Sequence, residues 1–346
     1  MSFKALFYAE QDYAFDILRP LQAHITSQGG SVHWLLVGND ISPGRLLASE
    51  LSLQSVSQAI RLQPEAVFVP GDRVPSFIPG LKVQVFHGLN EDKRGNVYPE
   101  RGLFDLYCTE GPGRTAMLKG AISGRHTFNV CETGWLKLDT LFNYSNSKAG
   151  LGAAESARPT ILFASTFTPR LSCAATLVTT IQTLSQKGDW QWLVTLHPKM
   201  SSSIVSQYQQ LVGPNLQFCT NDQVIDAMHR ADVMVCDNSS ILQEFLLLKK
   251  PVVTVNNRSP GAHLINIVDP SELQSAIERA LQPHLDLQLA IDSYGASITP
   301  YLDGQSAARV YQAAIDMLES GWQDRKPANL FRNLKMRGQL KYFKFW

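Results

Sequence analysis

The residues of this chain that could grip a phosphate or move a proton recur at one kind of place, the end of a short apolar run. Asp237-Asn238-Ser239-Ser240 follows Val233-Met234-Val235-Cys236 and precedes a helical pattern carrying Ile241, Leu242, Phe245, Leu246 and Leu248. Asp, Asn and Ser are helix N-cap residues, so the tetrad belongs where a parallel strand ends and a helix begins. Such a junction gathers unpaired backbone N–H groups and the positive end of a helix dipole, which suits a phosphate. The hydroxyls of Ser239 and Ser240 add donors, and Glu244, one turn on, is placed to reach back into the same crevice. For this stretch alone, an ordinary capped helix with no ligand is the competing reading.

Other residues share that position. His87 ends the run Val85-Phe86 and is followed by Gly88, and His197-Pro198 ends Trp192-Leu193-Val194-Thr195-Leu196. Thr166 and Arg170 lie in the loop after Phe163-Ala164. A histidine can take a proton from a hydroxyl at neutral pH because its ordinary pKa lies near 6.5. A threonine hydroxyl, an arginine fork, a second histidine and a helix N-terminus would together hold a pyrophosphate without a metal. The chain has no Asp-x-Asp, no HExxH and no paired-cysteine site, so no metal ligand set is expected. It also lacks the GxGxxG, GxxxxGK[ST] and GxSxG patterns, which weighs against dehydrogenase, P-loop and α/β-hydrolase chemistry.

The elements that must position these residues alternate. Runs at 4–9, 32–37, 66–69, 83–86 and 105–109 read as strands, with helices through Phe15, Leu18, Leu21 and Ile25, over 46–62, and from Gly111-Pro112-Gly113 to Gly120. Residues 143–159 are small, polar and strand-free and read as a linker. Beyond them, strands at 160–164, 191–196, 216–219, 233–236 and 252–255 alternate with helices at 172–186, 203–212, 224–230 and 240–248. Short apolar strands alternating with helices predict parallel sheets covered on both faces. The expected organisation is an acceptor-side α/β domain over 1–142, the linker 143–159, a nucleotide-donor α/β domain over 160–320, and a basic aromatic tail over 321–346. Two Rossmann-like halves facing a cleft would bind ligands at the carboxyl ends of their strands.

At 346 residues, 44% hydrophobic and 18% charged, the chain has core enough for two domains. Its formal charge of +1 excludes bulk attraction to nucleic acid. Five scattered cysteines without a CxxC, no signal-peptide pattern and no membrane-length apolar run point to a reduced, cytoplasmic protein.

Six motifs in order resemble the CDP-glycerol glycerophosphotransferase family of teichoic-acid and capsule synthesis. They are Gln84-Val85-Phe86-His87-Gly88; Thr133-Gly134-Trp135-Leu136-Lys137-Leu138-Asp139; Ala164-Ser165-Thr166-Phe167-Thr168-Pro169-Arg170; Leu196-His197-Pro198; Ala231-Asp232 through Asp237-Asn238-Ser239-Ser240 and Glu244-Phe245; and Asp303-Gly304-Gln305-Ser306-Ala307-Ala308-Arg309. The chain departs from that family where Ser165 stands for Pro, Asn238 for Tyr, Glu244 for Asp, Leu136 for Pro, and Leu89-Asn90 for the Thr-Pro after His-Gly. The resemblance implies a GT-B-like fold and a transferase that moves glycerol phosphate from CDP-glycerol, or a similar nucleotide donor, to a hydroxyl of a glycan or lipid-linked acceptor. His87 would be the base, with His197 in the same catalytic centre. Thr166, Arg170, Ser239 and Ser240 would hold the donor phosphates, Asp237, Glu244, Asp303 and Gly304 would position the polyol, and no metal or cofactor is implied. The alternatives are a GT-B nucleotide-sugar glycosyltransferase or UDP-sugar 2-epimerase-like enzyme, and an inactive nucleotide-binding partner in envelope polysaccharide assembly.

Residues 325–346 carry seven Lys or Arg and no acid, interleaved with aromatic and aliphatic side chains. Such a segment suits an anionic membrane surface, which would place the protein on the inner face of the cell membrane. A tail packed back on the first domain, or a disordered terminus, is the alternative.

Overall fold

Runs of β-branched and aromatic residues too apolar to show either side to water set the frame. In the computed structural model, which describes residues 2–89, 103–120, 128–148, 158–322 and 330–342 (side chains of 145–148 excepted), these runs are the central strands of two parallel sheets. The first sheet contains β1 (Lys4–Ala9), β2 (Ser31–Leu36), β3 (Leu51–Leu53), β4 (Ala66–Val69), β5 (Leu81–Gln84), β6 (Leu106–Thr109) and β7 (Asn129–Glu132), in the order β3-β2-β1-β4-β5-β6-β7. The second contains β8 (Thr160–Ser165), β9 (Gln191–Leu196), β10 (Leu216–Phe218), β11 (Val233–Cys236), β12 (Val252–Val255) and β13 (Ile265–Ile267), in the order β10-β9-β8-β11-β12-β13. The described helices are α1 (Tyr13–Ser27), α2 (Val56–Leu62), α3 (Pro112–Gly120), α4 (Leu136–Lys148), α5 (Ala174–Lys187), α6 (Ser202–Gln210), α7 (Val224–Arg230), α8 (Ile241–Leu247), α9 (Leu273–Leu281), α10 (Leu285–Ile298), α11 (Ser306–Glu319) and α12 (Leu330–Gln339).

Each sheet belongs to its own compact unit, one made of residues 1–143 and 298–346, the other of residues 144–297. In the first, Leu6, Val67, Ile78 and Phe86 are buried in one core. In the second, Ile161, Phe163, Leu177, Trp192, Val235 and Ile277 are buried in another. Each such side chain removed from water stabilises its unit by about 1.5–3 kcal/mol before conformational entropy is charged against it.

In both sheets the strand order reverses direction once, between β1 and β4 in the first and between β8 and β11 in the second. At such a switch point the loops leave on opposite sides and open a crevice at the carboxyl ends of the strands. Register fixes what meets there. Val233, Met234 and Val235 pair with Ile161, Leu162 and Phe163, so Asp237 comes level with Ser165.

The structure corrects four sequence expectations. The helix expected over 46–62 is the edge strand β3, paired with β2, followed by α2, whose N-terminus is capped by the Ser55 side chain accepting from Gln58 N–H. An extra strand, β13, follows β12. Residues 143–148 of the expected linker continue α4, and 149–157 lie outside the described residues. Residues 298–320, expected in the second domain, belong to the first unit, where Tyr311 of α11 packs against His24 of α1 and against Phe3 just before β1.

Candidate functional site

The loops at the β8/β11 switch point are held by one carboxylate. Asp237 is fully buried and accepts from the Ser165 hydroxyl at 2.5 Å and from the backbone N–H groups of Thr166 (3.0 Å), Cys173 (3.0 Å) and Ser239 (3.0 Å). A buried carboxylate is tolerable only with such a set of charge-assisted bonds, which tie the loop after β8, the start of α5 and the loop after β11 to one point. Asp237, expected to position the polyol, therefore has its oxygens engaged with the protein. It shapes the site without being aimed at a ligand.

Asn238 does the same for the neighbouring loops. Its amide nitrogen donates to the carbonyls of Leu171 (3.1 Å) and Asn256 (3.2 Å), and its amide oxygen accepts from Arg258 N–H (2.9 Å). Only a side chain that both donates and accepts can satisfy this arrangement. Asn257 adds a bond from its amide to the Asp237 carbonyl at 2.8 Å. Neither Asn256 nor Asn257 was singled out in the sequence, although Asn256-Asn257 directly follows the apolar run of β12, the same strand-end position as the others. Asn256 takes a left-handed backbone (φ +51°), which asparagine tolerates better than most residues.

Around this scaffold lie the expected phosphate-binding residues of the second unit. Thr166 is buried and follows β8, and Arg170 lies exposed in the 3-10 turn Pro169–Leu171. Ser239 is half-buried and Ser240 exposed at the head of α8. That helix spans only Ile241–Leu247, shorter than the expected 240–248, and Ser240 makes no side-chain cap bond. A helix this short offers only a small dipole. Glu244 lies in the first turn of α8 and is buried.

His197 stands at the end of β9 with its ring 4.4 Å from that of Phe167. Its Nδ1 accepts from Lys199 N–H at 3.0 Å. Partial burial, then the Lys199 charge, hold its pKa below 6.5, so the imidazole is neutral at pH 7. With Nδ1 accepting, the proton of that neutral ring sits on Nε2, which makes His197 a hydrogen-bond donor to an anion.

In the first unit His87 leaves β5 through Phe86, whose backbone is left-handed (φ +57°). The Arg114 guanidinium lies 4.1 Å from the Phe86 ring and donates to the Gly88 carbonyl at 2.9 Å, which fixes the turn. His87 stacks on Tyr13 at 4.7 Å, with its Nδ1 3.1 Å from the Pro70 carbonyl. A neutral His87 that donates Nδ1–H to this carbonyl carries its lone pair on Nε2. That is the form of a base.

Asp303 and Gly304 belong to the first unit. Their motif docks on the motif at 133–139. Asp139 accepts from Ser306 N–H (2.8 Å) and Ala307 N–H (2.7 Å) at the start of α11, and Asn143 donates to the Gly304 carbonyl at 2.9 Å. Arg309 pairs with Asp303, donates to the Thr133 carbonyl at 3.3 Å and lies over the Tyr301 ring at 4.3 Å. Two of the six motifs are thus halves of a structural joint.

Among the described residues no group of three or more His, Cys, Asp or Glu could hold a metal ion, and no helix is long and apolar enough to cross a membrane. Of the basic segment 325–346, residues 330–342 are described. There α12 packs on the first unit, with Met336 buried and Phe77 stacked on Tyr342 at 5.5 Å.

A family model described as UDP-N-acetylglucosamine 2-epimerase matches residues 121–314, more than half of the chain. No curated protein matches it. Among solved structures, a UDP-GlcNAc 2-epimerase from Neisseria meningitidis bound to UDP-GlcNAc is similar at 11% identity, with a TM-score of 0.60 over 92% of this chain and 100% of that one. The MnaA-UDP co-structure from S. aureus matches at 17% identity, with a TM-score of 0.63 over 94% and 99%. The wall teichoic acid polymerase TagF matches at 13% identity, with a TM-score of 0.65 over 91% and 89%. These likenesses establish the fold, a pair of parallel-sheet α/β domains of GT-B-like type. The family match overturns the glycerophosphotransferase expectation. In this chain the motifs behind it are strand-end turns and a structural joint.

Proposed function

We infer that this chain, which belongs to the UDP-N-acetylglucosamine 2-epimerase family, binds a UDP-linked N-acetylhexosamine and inverts its C2, interconverting UDP-N-acetylglucosamine and UDP-N-acetylmannosamine. Over the reaction one proton leaves C2 and one returns to the opposite face. The observation that carries the reading is the family match across β7 to α11, which takes in every strand-end loop of the second unit. Relatives of the same fold hold UDP-GlcNAc and UDP.

In this reading the hydroxyls of Thr166, Ser239 and Ser240, the guanidinium of Arg170 and the Nε2–H of His197 surround the diphosphate, whose charge they meet without a metal. Glu244 is assigned to the ribose hydroxyls, and His87 is assigned to proton transfer. Asp237 and Asn238 hold the loops in register for this task.

The test is to incubate the full chain with UDP-N-acetylglucosamine in D2O and follow the proton NMR spectrum. The expected result is growth of the C2 epimer with solvent deuterium at C2. His197→Ala removes one hydrogen bond to a charged oxygen, about 1.5–3 kcal/mol, and should raise KM roughly tenfold or more while leaving the melting temperature within a few degrees. No epimer, no deuterium exchange and no thermal shift on adding UDP would together overturn the reading.

A further inference from the structure

Helix α12 has two unlike sides. On one, Met336 is buried, Asn333 bonds to Ser76, and the Arg337 guanidinium lies 4.4 Å from the Phe77 ring, with Leu340 and Tyr342 packed on the core of the first unit. On the other, Leu330, Phe331 and Leu334 are exposed by 70%, 91% and 54%. At about 100° per residue, Phe331, Leu334 and Lys335 share the face turned away from Asn333, Met336 and Leu340. Residues 330–342 carry Arg332, Lys335, Arg337 and Lys341 and no acid. The helix is anchored by its inner side and presents an apolar ridge edged with positive charge.

We propose that this outer face of α12 seats the protein on an anionic lipid surface, with Leu330, Phe331 and Leu334 entering the boundary between headgroups and acyl chains, and Lys335 and Lys341 meeting lipid phosphates. An amphipathic helix of this composition lies in the plane of the interface, drawn by apolar burial and by the negative surface potential together. A second copy of the chain is a poorer occupant, because a two-fold contact would set two acid-free basic helices against each other. Nucleic acid would meet the charges but gives the aliphatic Leu330 and Leu334 no apolar medium. The proposal is independent of the epimerase reading and stands or falls without it.

The experiment is co-sedimentation of the full chain with vesicles of phosphatidylcholine alone or mixed with phosphatidylglycerol. The expected result is a bound fraction several-fold higher on the mixed vesicles, falling as salt is raised from about 0.1 to 0.5 M. The double variants Phe331→Glu/Leu334→Glu and Lys335→Glu/Lys341→Glu should each lower that fraction at least about fivefold. All four side chains are solvent-exposed, so the melting temperature should be unchanged. Equal partitioning on the two kinds of vesicle overturns the proposal, as does a double variant that folds and still binds like the parent. So does dimerisation that Phe331→Glu/Leu334→Glu abolishes in the absence of vesicle binding, or capture by an oligonucleotide in place of vesicles.

Discussion

Asp237 shows how far a side chain's role can differ from what its neighbours in sequence suggest. In the chain it reads as one of four polar residues at a strand end, equal candidates to touch a ligand. In the fold it is the one least able to do so, because four donors already converge on it. Ser165 and Asn238, which look like departures from a known pattern, are the residues that complete this scaffold: Ser165 donates to Asp237, and Asn238 links three loops. Asp237→Asn places an amide N–H₂ against protein N–H or O–H donors and removes the charge that strengthens their bonds. The expected cost is about 2–4 kcal/mol of unfolding free energy, measured by denaturant titration, with UDP binding lost alongside it. Retention of both would show that the loops are held by something else.

At the level of elements, local pattern and long-range contact decided different things. β11, α7 and β12 were legible to the residue, because each is an apolar or amphipathic run bounded by polar residues. β3 and β13 were not. Each is three residues long and exists because a neighbouring strand pairs with it. The joint between residues 133–143 and 303–309 was also hidden, since Asp139 meets the start of α11 across more than 160 residues of chain. No local signal in Asp303-Gly304 distinguishes a cap at such a joint from a ligand loop. Gly304 has φ +66°, and a Cβ there would lie 2.4 Å from the Asn143 side-chain oxygen. Gly304→Ala should therefore cost about 1–3 kcal/mol by combining left-handed strain with a displaced hydrogen bond. Thermal unfolding of the variant checks this, and an unchanged midpoint would mean that the joint contributes little.

For the whole molecule, the architecture was legible and the reaction was not. Alternating apolar strands and helices announce two parallel sheets, but His87, His197 and the Asp237–Ser240 turn occupy positions that any enzyme on this fold could use. Stability at this scale depends on pH in a direction the structure sets. Burial holds the imidazoles of His33, His197 and His263 below 6.5, with Lys4 adding to the effect at His33 and Lys199 at His197. From about 6.5 down to those lowered values the unfolded chain binds protons that the folded chain does not, so stability rises with pH through that window and is lost on acidification. Asp139 works the other way at lower pH, because burial raises its pKa above 3.8. A melting temperature several degrees lower at pH 5.5 than at pH 7.5 is expected. A flat or inverted profile would contradict the lowered imidazole pKa values of these partly buried rings.

The division of the chain between its two units also has a temporal side. Residues 144–297 form the second unit without interruption, whereas the first is assembled from 1–143 and 298–346. A ribosome has therefore synthesised every residue of the second unit before α11, which lies against α1 in the first, has been made at all. The part of the chain translated first is the last to have all its pieces, and the nascent first sheet must wait, with the face that α11 will cover still open, for more than 150 residues of a different domain to be translated.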